Sequence, residues 1–107
     1  MNLEWTDPAL ESLQDIREYI SNAAGSDVAQ SVQTEIVLEA ETLLEFPARG
    51  RQVPRLDDPN IRELIVKSYR VIYELDSVDK PSEASVLAVA HSAQQLKNTL
   101  LTEHLDL

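Results

Sequence analysis

Six of the nine positively charged residues lie within one short segment, where they could serve the recognition of an anionic partner. Residues 1–48 carry ten acidic residues and one arginine, and residues 71–107 carry six acidic residues and two lysines. Residues 49–70 carry three acidic residues and the cations Arg49, Arg51, Arg55, Arg62, Lys67 and Arg70. The planar guanidinium of arginine suits bidentate contacts to carboxylate or phosphate. The segment therefore predicts either a localised anion-binding surface or a row of solvated arginines along a sheet edge.

The overall charge limits the partners that this segment could bind. The formal net charge is −10, which argues against broad, non-specific binding to nucleic acid or to an anionic membrane. We expect no direct DNA binding by this chain alone, since its predicted helices are acidic and unsuited to a DNA groove.

Metal and thiol chemistry are not expected from the sequence. Cysteine is absent, which excludes disulfides, thiolate metal ligands and a cysteine nucleophile. The two histidines, His91 and His104, are far apart and belong to no metal-binding motif. We therefore expect no metal and no cofactor.

Length and hydropathy predict one soluble domain. The 107 residues suit a single domain over 1–107, and 43% of them are hydrophobic, enough for a core. The opening Met-Asn-Leu-Glu-Trp lacks the features of a signal peptide, and the apolar runs are too short for a membrane helix. We expect a cytoplasmic protein with no membrane partner.

Two amphipathic helices are predicted in the first half of the chain. Asp7-Pro8 predicts a helix start with Asp7 as N-cap, and Gly25 predicts the end of this helix of about 16 residues. Ser26-Asp27 offers the next N-cap after a connection of about three residues, and Pro47 stops the second helix. Both helices carry an apolar stripe at steps of three and four: Ala9, Leu13, Ile16, Ile20 and Ala23 in the first, and Ala29, Val32, Ile36, Ala40 and Leu43 in the second.

A loop and three strands follow the helices. Residues 47–60 have no period and contain three prolines, which predicts a long loop, and long loops are often functional. Three strands are predicted over 61–67, 69–75 and 86–91, and in the second one Tyr69, Val71 and Tyr73 share a face opposite Arg70. The apolar lead-in up to Trp5 predicts an edge strand.

This order of elements predicts the α+β class. We expect a short N-terminal strand, an antiparallel helix hairpin packed on a three- to four-stranded antiparallel sheet, and a short C-terminal helix starting near residue 93.

Five segments in this order resemble the RelE/ParE superfamily of bacterial type II toxins, and the ParE branch in particular. They are Trp5-Thr6 with the first helix, Leu43 to Arg51 with a Pro-x-x-Gly-Arg pattern, Ile61 to Val66, Tyr69 to Glu74, and Val86 to His91. The resemblance implies the toxin component of a type II toxin–antitoxin system, with a cognate antitoxin protein as partner. The assembly that it implies is either a homodimer of this chain or a heterotetramer with the antitoxin. Since the helices are acidic, we expect the antitoxin to contact the basic loop and strands or to be rich in lysine and arginine.

The ParE branch implies inhibition of DNA gyrase by protein–protein contact, without bond cleavage. Such a mode needs a presented surface, and the loop residues Arg49, Gly50, Arg51 and Arg55 are the candidates for it.

The RelE branch implies the alternative of a ribosome-dependent mRNA endonuclease, which needs a base, an acid and a cation around the scissile phosphate. The positions that match this chemistry are Arg62, Lys67, Tyr69, Arg70, Tyr73 and His91. The chain departs from the family here, because Ser92-Ala93-Gln94 follows His91 where a basic triplet is common. A third alternative is a non-toxic family member that only binds the antitoxin.

Overall fold

Two helices pack on one face of a five-stranded sheet in the computed structural model, which describes residues 1–54 and 56–91. The elements in chain order are β1 (Asn2–Trp5), α1 (Asp7–Ala24), α2 (Ser26–Glu41), a 3-10 turn (Thr42–Leu44), β2 (Arg51–Gln52), β3 (Ile61–Val66), β4 (Tyr69–Leu75) and β5 (Glu83–His91). The predicted α+β class is confirmed. The predicted C-terminal helix lies outside the described residues.

The strand order is β1-β5-β4-β3-β2. The predicted antiparallel meander is formed by β3, β4 and β5, and β2 adds an antiparallel strand to β3. β1 is the edge strand that the sequence predicted, and it runs parallel to β5. β2 is the strand that the sequence did not predict, since Arg51 and Gln52 pair with β3 inside what the sequence predicts as an unstructured loop.

The start of α1 differs by one residue from the prediction. Thr6, and not Asp7, is the N-cap: its Oγ1 accepts a hydrogen bond from the Ala9 N–H at 3.3 Å. The same hydroxyl donates to the Val86 carbonyl of β5 at 2.7 Å. Thr6 occupies the cap position because its backbone is extended beside β5, as an N-cap requires, whereas Asp7 is already the first helical residue.

The connection between the helices is also shorter than predicted. Gly25 alone separates α1 from α2, and the predicted side-chain cap at Ser26 or Asp27 is absent because α2 begins directly at Ser26. The φ of +100° at Gly25 turns the chain within one residue, a conformation that side chains disfavour. α2 ends at Glu41, well before Pro47, and the 3-10 turn follows it directly.

The core lies between the helices and the sheet. The predicted stripes supply its helical side, since Ala9, Ile36, Ala40 and Leu43 are fully buried. Their neighbours on the sheet are Leu64, Val66, Val71, Tyr73, Leu75, Val86 and Val89. We call this the helix face of the sheet. Neither helix in the described ranges is long and apolar enough to cross a membrane.

The opposite face of the sheet, called here the open face, has its own smaller cluster. Val53 and Leu56, from the segment between β2 and β3, pack there against Ile61, Ile72 and Leu87. The alternation predicted for β4 is confirmed, with Val71 and Tyr73 on the helix face and Ile72 on the open face. The long loop is therefore folded back over the sheet, and it positions the candidate site.

Candidate functional site

Tyr73 of β4 holds the loop that carries the predicted target-binding arginines. Its hydroxyl accepts a hydrogen bond from the Gly50 N–H at 2.9 Å and donates one to the Pro47 carbonyl at 2.9 Å. The residue is 0% exposed, and this burial raises the pKa of the Tyr73 hydroxyl above its usual value, although the bond from Gly50 and the nearby Arg62 offset part of the increase. The hydroxyl stays protonated at neutral pH and serves as a structural donor.

Gly50 is enclosed on both sides of its backbone. Arg62 donates from Nε to the Gly50 carbonyl at 2.9 Å, while Tyr73 takes the Gly50 N–H. A Cβ built on Gly50 would lie 2.6 Å from the Glu63 carbonyl oxygen and 2.6 Å from the Tyr73 hydroxyl. The glycine of the Pro-x-x-Gly-Arg pattern is therefore required by packing against β3 and β4.

The two arginines beside Gly50 bind different parts of the fold. Arg49 forms an ion pair with Glu39 of α2 at 2.8 Å and donates to the Thr42 hydroxyl at 2.7 Å. Arg51 contacts the Glu63 carboxylate at 2.7 Å through Nη2 and at 2.8 Å through Nε. Both side chains remain accessible, at 42% exposure for Arg49 and 66% for Arg51. The loop thus presents two fixed but accessible guanidinium groups.

Glu63 is a fully buried carboxylate on the open face, between two arginines. Its side chain is 0% exposed, and its second oxygen lies 3.5 Å from Nη1 of Arg70 on the neighbouring strand. Arg51 is its direct cross-strand partner in the β2–β3 ladder. Burying a carboxylate requires such partners, because an unpaired charge in this position is costly.

A second group of candidates lies at the far end of the sheet. The Tyr69 and His91 rings make an edge-to-face contact with centroids 5.5 Å apart. Lys67, in the turn between β3 and β4, forms an ion pair with Glu35 of α2 at 2.9 Å. Burial raises the pKa of the Tyr69 hydroxyl, with a smaller contribution from Tyr19 of α1.

The sequence matches the family described as ParE toxin of type II toxin–antitoxin system, parDE, over residues 3–96. The chain belongs to this family. The match spans all of the described elements except the first residue of β1. It includes Pro47, Gly50 and Tyr73, and we call the two hydrogen bonds of the Tyr73 hydroxyl to this loop the clasp.

Solved structures share the fold of this ParE-family chain. A chromosomal ParDE system from P. aeruginosa superposes with a TM-score of 0.69 at 22% identity, over 85% of this chain and 95% of that one. The toxin–antitoxin complex RelBE2 from Mycobacterium tuberculosis gives 0.61 at 21% identity, over 87% and 92%. The isolated E. coli RelE toxin gives 0.50 at 15% identity, over 96% of each chain. The comparison with curated proteins gave no match.

The residues that match nuclease chemistry do not converge in this ParE-family chain. Arg70 lies on the open face, whereas Tyr69 and Tyr73 lie on the helix face. Tyr73 and Arg62 form hydrogen bonds to backbone groups of the loop, and Lys67 forms an ion pair with Glu35 of α2. Of the predicted target-binding residues, Arg49, Gly50 and Arg51 are brought together, while Arg55 lies outside the described residues.

Three acidic residues that complete this site were not singled out from the sequence. Glu35 and Glu39 lie four residues apart on α2, the spacing that puts two side chains on one helix face, and each pairs with a cation of the 49–70 segment. Glu63 sits within the apolar run of β3, and a lone acid in such a run is a usable sign of a buried ion pair. Their cationic partners are distant in sequence, so only the fold identifies the pairs.

Proposed function

We propose that this chain is a toxin that inhibits DNA gyrase by protein–protein contact, with the loop Pro47–Arg51 as its target-binding surface, and that a cognate antitoxin neutralises it. One observation carries the proposal: the cations of the 49–70 segment that the structure describes are distributed over both sheet faces and bind acceptors of the chain itself. Glu39, Glu63 and Glu35 pair with Arg49, Arg51 and Lys67. Cleavage of RNA would instead need several cations around one phosphate.

Binding makes smaller demands on the site than cleavage does. An interface needs accessible, fixed side chains with complementary partners, and Arg49 and Arg51 meet that requirement. Arginine is enriched in interface hot spots because its fork contacts carboxylates in a defined geometry. The target surface that suits this loop therefore carries carboxylates.

The antitoxin partner is supported by family membership and by the ParDE and RelBE2 systems that share the fold. The acidic outer surfaces of the helices favour an antitoxin segment that is rich in lysine and arginine wherever it covers them.

The test is pulse incorporation of labelled thymidine and methionine after induction of this chain alone in a bacterium. The proposal expects DNA synthesis to fall first, and expects purified DNA gyrase to lose supercoiling activity when the protein is added. The variant Arg49→Glu/Arg51→Glu should abolish both effects, while Lys80→Glu, a charge reversal in the turn between β4 and β5, should leave them intact. Protein synthesis falling first would favour mRNA cleavage instead, and no effect of the folded protein would leave only an antitoxin-binding role.

A further inference from the structure

The Tyr73 hydroxyl connects two points of the target-binding loop to strand β4. It bonds to the Pro47 carbonyl and to the Gly50 N–H, which lie 26 and 23 residues earlier in the chain. The ring itself is fully buried in the core between the helices and the sheet. Because the buried ring is packed tightly, the hydroxyl has a fixed position relative to β4. The two hydrogen bonds therefore hold the loop in a fixed position on the sheet.

Arg62, on the neighbouring strand β3, also holds Gly50. Its Nε donates to the Gly50 carbonyl, and Arg62 and Tyr73 are direct cross-strand partners in the β3–β4 ladder. Both backbone groups of Gly50 are therefore fixed by side chains that stand next to each other. Arg49 and Arg51 flank Gly50, and their backbone positions follow from this clasp.

Ordering a loop at the moment of binding costs conformational entropy, of the order of 1–2 kcal/mol for each residue whose backbone becomes fixed. A loop that is ordered beforehand avoids this cost and binds more tightly with the same contacts. The clasp of Tyr73 orders Pro47–Arg51 in the absence of any partner.

We propose that Tyr73 is a positioning residue for target binding: its hydroxyl holds Arg49 and Arg51 in the geometry that the target recognises. It does not contact the target itself, since it is buried. This inference rests on the proposed function, because it takes the loop as the target-binding surface.

The test compares Tyr73→Phe with Val71→Ala in the full chain, using purified DNA gyrase holoenzyme as the probe. Tyr73→Phe removes only the hydroxyl, and the loss of two hydrogen bonds of ordinary strength predicts an affinity about tenfold weaker. Amide hydrogen exchange at Gly50 should accelerate in the same variant. Val71 is buried on the same strand and face, so Val71→Ala lowers stability without touching the loop and should bind within about twofold of the wild type. Equal losses in both variants, or unchanged affinity in Tyr73→Phe, would overturn the inference.

A double-mutant cycle separates positioning from general stability. If Tyr73 acts through the arginines, the effect of Tyr73→Phe should shrink to about twofold or less in an Arg49→Ala/Arg51→Ala background. An undiminished effect in that background would contradict the inference. Should Tyr73→Phe fail to fold, Arg62→Gln removes the second half of the clasp, and it should weaken gyrase binding in the same direction; unchanged binding by that variant would also overturn the inference.

The failure of this inference can be told apart from failure of the proposed function. If Arg49→Glu/Arg51→Glu still binds gyrase, the loop is not the target-binding surface, and both proposals are wrong. If that variant loses binding while Tyr73→Phe retains it, only the positioning role of Tyr73 is wrong.

Discussion

At the residue scale, Gly50 is the position where the fold leaves no room for a side chain. Its environment consists of the Glu63 carbonyl, which belongs to a central ladder, and the Tyr73 hydroxyl, which is bonded to the loop. Neither neighbour can move away cheaply, because backbone in a sheet and a buried ring are both held by their surroundings.

Gly50→Ala should therefore destabilise the protein by roughly 1–3 kcal/mol, the usual cost of forcing extra atoms into a packed site. Urea denaturation measures this difference directly. Ala48→Ser changes an exposed neighbour in the same loop, and its stability should stay within about 0.5 kcal/mol of the wild type. A Gly50→Ala protein as stable as Ala48→Ser would mean that the loop can shift away from β4.

Asp76 organises the turn between β4 and β5 as an acceptor for backbone N–H groups. Its carboxylate accepts from the N–H groups of Ser77 at 3.0 Å, Ser82 at 2.9 Å and Glu83 at 3.1 Å, and it also accepts from the Ser82 hydroxyl. The bonds from Ser82 are the main reason that the pKa of Asp76 falls from 3.8 to about 2.

The lowered pKa fixes the pH range in which Asp76 stabilises the fold. The folded-state pKa lies below the unfolded value, so the contribution is present above pH 3.8 and is lost as the pH falls towards about 2. Asp76→Asn should lose stability at neutral pH and should lack this part of the acid dependence, as measured by urea midpoints between pH 7 and pH 2.

The neighbouring Asp79→Asn is the matched control, since Asp79 accepts none of these bonds in the described residues. It should keep the acid dependence of the wild type. An NMR titration of Asp76 with a midpoint near 3.8 would contradict the assignment.

At the element scale, the short strand β2 is held to the sheet by its ladder with β3 and by an ion pair to a buried carboxylate. The strand has only two residues, and Arg51 contacts Glu63 both through the ladder and through its guanidinium. Glu63 also contacts Arg70, so one carboxylate links three adjacent strands across the open face. An edge strand of this length has little stability of its own, and the carboxylate compensates for it.

Glu63→Gln should cost about 1–3 kcal/mol, because it weakens charge-assisted bonds in a buried position. Arg51→Ala should cost less than about 1 kcal/mol, since Arg51 is largely exposed and Glu63 keeps its contact with Arg70. Chemical denaturation of the two variants gives the order. A greater loss of stability in Arg51→Ala than in Glu63→Gln would contradict the prediction. It would show that the Arg51 side chain, and not the buried Glu63 carboxylate, makes the main contribution to holding β2.

At the scale of the whole molecule, four of the described cations of the basic segment are paired with acidic residues of the same chain. Two acidic residues of α2 and one of β3 pair with the cations Arg49, Lys67, Arg51 and Arg70. Acidic residues outnumber basic ones in the described part of the chain, which gives its surface an excess of negative charge. Such a surface repels polyanions.

The protein alone should accordingly fail to bind single-stranded RNA or duplex DNA, even at about 50 mM salt, where electrostatic binding is strong. Fluorescence anisotropy with labelled oligonucleotides checks this. The variant Glu35→Gln/Glu39→Gln/Glu63→Gln removes the acids that neutralise the segment and should gain weak, salt-sensitive binding. Tight binding by the wild type would contradict this electrostatic account.

The sequence by itself determined the fold class, the helix stripes, the faces of β4 and the family. These features follow from local periodicity and from residues that are adjacent in the chain, such as Gly25 after α1. The sequence also located the basic loop, because the arginines around Gly50 are neighbours in the chain.

Only the tertiary structure decided what those arginines contact. The bonds of Tyr73 to Pro47 and Gly50 and the pairs of Arg49 with Glu39 and Arg51 with Glu63 join residues 10 to 26 positions apart. Local patterns carry no information about such contacts, which arise when the loop folds back onto β3 and β4. The same applies to β2 and to the cap at Thr6, since a strand needs its partner and the Thr6 hydroxyl is fixed by β5. The sequence located the charges of the loop, and long-range packing decided which of them are paired and which way they face.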